Sequence, residues 1–77
     1  MTKIKHGLTP AKVDSALIAW AMADELDKST AWMLQSMQDT ARISLDAVHY
    51  ILRTTPNGLT NDQARAWWVK RFEPERP

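Results

Sequence analysis

The sequence predicts an all-α fold: a compact bundle of about four short helices with no sheet. Apolar residues recur at three- and four-residue spacing in four successive windows. Each window opens on a residue suited to capping a helix: Thr9, Ser29, Ser44 and Thr60. No segment of useful length alternates apolar and polar residues, which removes the main signal for strands.

The first helix is expected from Thr9-Pro10 to about Leu26. Threonine at the cap followed by proline in the first turn is a strong start signal. Val13, Leu17, Trp20 and Ala21 form one face, which Ile18, Met22 and Leu26 widen. Ala16, Ala19, Ala21 and Ala23 favour helix and let another helix approach closely. Asp24, Glu25 and Asp27 stand at the end where the helix dipole disfavours acids. A second helix should run from Ser29 or Thr30 to Ala41, with Met33, Leu34, Met37 and Ala41 inward and Trp32 flanking. A third is capped by Ser44, with Leu45, Val48, Ile51 and Leu52 inward, and stops at Pro56-Asn57-Gly58. A fourth starts at Thr60, whose spacing to Gln63 is that of a capping box, with Ala64, Trp67, Trp68 and Phe72 inward. Residues 1–8 read as a flexible basic arm, 9–72 as a single helical domain and 73–77 as a frayed tail.

With 77 residues the chain makes one domain. Chains this short bury only about 60% of their unfolded surface, which leaves little room for a deep catalytic cleft. The absence of cysteine removes disulfides, thiolate metal sites and cysteine nucleophiles together. Gly7 and Gly58 are too far apart to make a phosphate-binding loop. Asp46 and His49 share a helix face, but a metal site needs at least about three protein ligands and no second such pair exists. The expectation is a non-enzymatic protein with no metal and no cofactor. No run approaches the ~20 apolar residues of a membrane span. No apolar stretch follows the N-terminal lysines before Pro10, so the expected location is cytoplasmic.

Charge is unevenly spread. Residues 1–13 carry Lys3, Lys5 and Lys12; residues 14–46 carry six acids against Lys28 and Arg42; residues 47–77 carry five bases against three acids. Basic ends around an acidic middle suit either a mixed solvated surface or two ends that face one anion. The acidic stretch Asp24–Asp27 suits a basic partner.

Residues 43–59, ISLDAVHYILRTTPNGL, carry Ile43, Ser44, Val48, Leu52, Gly58 and Leu59 in a pattern that resembles the recognition helix and exit of winged helix-turn-helix transcription regulators. The resemblance implies a helix-turn-helix-like fold in which residues 34–41 support helix 44–54, with Met37 packed against Val48. It implies a small DNA-binding regulator whose outer face carries Ser44, Asp46, Ala47, His49, Tyr50 and Arg53. Lys3, Lys5 and Lys12 would add phosphate contacts. The pattern departs from the family's at Gln38, where a small residue is usual, and at Arg42, where the turn has glycine; no wing hairpin follows Leu59. Residues 59–71, LTNDQARAWWVKR, are similar to the start of a homeodomain third helix at Leu59, Thr60, Gln63, Trp67 and Trp68. There the base-reading asparagine is replaced by Lys70.

The other reading is a protein-interaction module. Trp32, Met33, Trp67 and Trp68 would form an apolar surface for a protein partner or a homodimer, with Met22 and Met37 adding adaptable packing.

Overall fold

A computed structural model describes residues 5–72, Lys5 by its backbone alone. The described residues form a compact all-α globule of four helices: α1 (Pro10–Glu25), α2 (Thr30–Ala41), α3 (Leu45–Thr54) and α4 (Asn61–Phe72). No strand occurs among the described residues. One turn of 3-10 helix, Lys5–Gly7, precedes α1 and packs beside α3. Leu8 is buried in the core, so the packed domain begins before the first long helix. Residues 1–4 and 73–77, with Lys3 and the expected tail, lie outside the described residues.

Caps set the helix starts. The hydroxyls of Thr9, Ser29 and Ser44 accept from the N–H groups of Lys12, Trp32 and Ala47. At α4 both arms of the capping box form: the Gln63 N–H donates to Thr60 Oγ1 at 3.2 Å, and the Thr60 N–H donates to Gln63 Oε1 at 2.9 Å. The ends of α1 and α2 are less ordinary. Asp27 and Arg42 take left-handed φ values of 54° and 56°, where glycine is usual. Each closes its helix with a backward bond, Lys28 N–H to Ala23 O at 2.8 Å and Ile43 N–H to Gln38 O at 3.1 Å.

The core joins Leu8, Val13, Ala16, Leu17 and Ala19 to Met37, Ala41, Ala47, Val48, Ile51, Ala64 and Trp68. Two expected inward faces are corrected. Ile18, Met22 and Leu26 are exposed, while Ala16, Ala19 and Ala23 are buried. The alanines let α1 and α2 approach closely, and that choice turns the larger residues to the opposite side of α1. On α3, Leu45 is exposed and Ala47 fully buried, because the buried stripe runs through Ala47, Val48, Ile51 and Thr55.

Polar bonds tie the fourth helix to the rest. The buried Trp68 indole N–H donates to Thr55 Oγ1 at 2.8 Å, and that hydroxyl donates to Ile51 O at 2.7 Å. Asn61 Nδ2 donates to Leu17 O in the middle of α1 at 2.8 Å. Arg65 grips Asp14 with two hydrogen bonds, Nε to Oδ1 and Nη2 to Oδ2. Those hydrogen bonds first, and the carboxylate's charge second, push the Arg65 guanidinium further above its ordinary range.

Candidate nucleic-acid interface

The unit that positions α3 is short. α2 ends at Ala41, Arg42 turns the chain in the left-handed region, and Ser44 caps α3. Met37 and Ala41 from α2, with Val48 and Ile51 from α3, are all buried in one cluster, and Ile43 packs against it from the link. This seats α3 on α2 and settles which way its remaining side chains face.

His49 and Arg53, four residues apart, are exposed on the outer side of α3, with Asp46 three residues before His49. Arg42 is exposed on the link. Tyr50 is half-buried. Its ring stands 5.3 Å from that of His6 and 6.2 Å from that of Trp68, inside a run of aromatic contacts that continues to Trp67 and Phe72. The Arg53 guanidinium lies 5.8 Å from the Tyr50 ring, so the tyrosine braces the arginine. Ser44 is exposed, but its hydroxyl already accepts from the Ala47 N–H. Ala47, expected outward, is fully buried. Lys12 lies in the first turn of α1, half-buried, rather than on the α2–α3 unit.

The surface expected to recruit a protein divides. Trp32 is exposed, with the Lys28 ammonium 5.4 Å from its ring, and Met33 is half-buried. Trp67 is half-buried beneath the Arg71 guanidinium, 4.8 Å from its ring. Trp68 is 1% exposed: it lies in the core, as its inward position on the fourth helix implied, and is not part of the surface that the protein-interaction reading required. Its indole needed a buried acceptor, and Thr55 supplies one.

Two features escaped the sequence reading. Arg42 looked like a departure from the turn pattern, yet it takes the left-handed conformation that a glycine would supply. Ile18, Met22 and Leu26 form an exposed ridge along α1; their four-residue spacing is plain in the sequence but fits a buried face equally well. Among the described residues, no group of three or more His, Cys, Asp or Glu is placed to hold a metal ion. No helix among them is long and apolar enough to cross a membrane.

No protein-family model matches the chain, and no curated protein or solved structure matches it.

Proposed function

We propose that the protein is a small DNA-binding regulator that lays the outer face of α3 into the major groove. The observation that carries this reading is the link between α2 and α3. Left-handed Arg42 and the Ser44 cap hold the two helices in a tight turn, and their inner faces share one core. Such a unit presents its second helix outward on a rigid support. Arg53, braced by Tyr50, is suited to a guanine edge or a phosphate; His49 is a second donor, and Arg42 a third on the link. Asp46 on the same side opposes phosphate and narrows the poses in which α3 can enter. Lys3, Lys5 and Lys12 would supply sequence-independent contacts.

The test is fluorescence anisotropy of labelled mixed-sequence duplex DNA at low and then moderate salt. Phosphate contacts alone give Kd values of roughly 10⁻⁴–10⁻⁶ M that weaken steeply with salt, so the target site need not be known. Arg53→Ala is expected to weaken binding by about tenfold with an unchanged circular-dichroism spectrum. Equal binding by the parent and Arg53→Ala would refute the role of α3.

A second reading rests on the exposed ridge Ile18, Met22 and Leu26. Large apolar side chains in one row on a small domain suit a protein partner or a homodimer. Under that reading Met22→Glu abolishes association measured by light scattering, and Arg53→Ala is silent.

A further inference from the structure

Between the C-terminal half of α1 and the α3–α4 connection lies a groove of about 580 Å³. That volume falls within the ordinary range of binding sites, roughly 300–1,000 Å³. Leu17, Trp20 and Ala21 line it from α1, and Pro56 and Leu59 from the connection. Asn61 keeps the groove's shape by bonding Leu17 O across its base. The charged residues that line it are Asp24 and Glu25, both negative and both exposed; no lysine, arginine or histidine lines it.

We infer that this groove binds an extended peptide segment of a partner protein in which a lysine or arginine alternates with bulky apolar side chains. Three physical features converge on a cation at one end. Asp24 and Glu25 supply formal charge, the C-terminal end of α1 supplies the negative pole of its dipole, and the half-buried Trp20 supplies an aromatic face. Among the described residues neither acid has an ion-pair partner. The apolar walls, Trp20, Pro56 and Leu59 among them, take the neighbouring side chains.

The connection favours a peptide over a compact amine. Thr55 through Thr60 lie between α3 and α4, and no hydrogen bond among the described residues uses the backbone N–H of Asn57, Gly58 or Leu59. Main-chain N–H groups of this turn can meet carbonyl acceptors, which a peptide has and a compact amine lacks. The groove stands on elements other than the outer face of α3, so this inference does not rest on DNA binding.

The experiment is a ¹H–¹⁵N NMR titration of the full chain with an acetylated, amidated peptide of alternating arginine and leucine. Two peptides of equal length serve as controls, one alternating glutamate and leucine and one alternating arginine and serine. The expected result is saturable shifts at the Trp20 indole and at the amides of residues 57–59. Binding should weaken by about tenfold or more in an Asp24→Asn/Glu25→Gln variant, and by a similar factor for either control peptide. The spectrum of that variant reports its fold directly. The inference is overturned if the glutamate peptide binds equally well. It also fails if the shifts map to α3 or the Ile18–Leu26 ridge, or if the variant binds as tightly as the parent. Shifts at the groove that grow with protein concentration in the absence of peptide would assign it to a second copy instead. No saturation by roughly millimolar peptide would likewise refute it.

Discussion

Replacing Thr55 with valine keeps the shape of the side chain and removes one oxygen. That oxygen accepts from the buried Trp68 indole at 2.8 Å and donates to Ile51 O at 2.7 Å. Losing a typical hydrogen bond costs about 0.5–1.5 kcal/mol, and leaving a buried donor stranded costs about 1–3 kcal/mol. Ile51 O still accepts the Thr55 backbone N–H at 3.0 Å, so the stranded group is the indole. Valine's better burial returns part of the loss, and the expected net cost is about 2 kcal/mol. A domain of this length holds roughly 4–12 kcal/mol in total, so the change consumes a large share of it. The thermal midpoint should fall by about 8–16 °C. Thr55→Ser keeps the hydroxyl and loses a methyl, with an expected cost of about 1 kcal/mol. Urea unfolding followed by circular dichroism and tryptophan fluorescence gives the ranking. Hydrogen exchange at the Trp68 indole gives an independent reading, slow in the parent and in Thr55→Ser and fast in Thr55→Val. If Thr55→Val proves as stable as Thr55→Ser, the indole bond does not hold α4 in place and the reasoning fails.

Arg42→Gly should raise stability by about 1 kcal/mol, because glycine adopts the left-handed φ of 56° without the Cβ penalty. The same variant should lower DNA affinity in the anisotropy assay, and opposite movements in the two measurements would separate what Arg42 does for the turn from what it does for a ligand. Asp14→Ala should lower the thermal midpoint, because Arg65 loses both of its hydrogen bonds to α1. Arg65→Lys in the parent should lose most of the same stability, since an ammonium cannot reproduce the two-point grip. The carboxylate raises the pKa of Arg65, so the stability its charge contributes is full below the ordinary arginine pKa and is lost only as pH rises through the higher folded value. The Asp14→Ala deficit traceable to Arg65 should therefore be the same at pH 6 and pH 9.

The helices were legible in the sequence because their starts are set by local chemistry. Thr9, Ser29, Ser44 and the Thr60/Gln63 pair all make the capping bonds their spacing implied. Faces were legible where one side of a helix is clearly polar, as with Met37 and Ala41 on α2. On α1 apolar side chains surround the helix, so periodicity cannot choose a side. The choice fell to the alanines, which allow α2 to approach closely and leave Ile18, Met22 and Leu26 outside. The turn at Arg42 was hidden for a different reason. A left-handed residue is announced by glycine or asparagine, and an arginine gives no such signal. The exposure of Arg53 and His49 on α3 agrees with the outward face that the helix-turn-helix resemblance implied, whereas the groove required knowing that residues 55–61 fold back against α1.

The end of α1 breaks a local rule at several adjacent positions. Asp24 and Glu25 occupy its last turn, and Asp27 follows in the left-handed region. Each acid near the negative end of a helix costs about 0.3–1 kcal/mol at low ionic strength. Nothing in the described packing offsets that cost: the side chains are exposed, and no base among the described residues pairs with them. Natural sequences concentrate such departures where function requires them. The Asp24→Asn/Glu25→Gln variant should therefore be more stable than the parent by about 0.6–2 kcal/mol at low salt, with the gain shrinking as screening rises. Urea unfolding at two salt concentrations measures it. Loss of stability in that variant would show that the acids serve the fold, and would remove the electrostatic argument for a basic peptide. A gain in stability together with a loss of peptide binding would show them held in place by a ligand rather than by the helix they end.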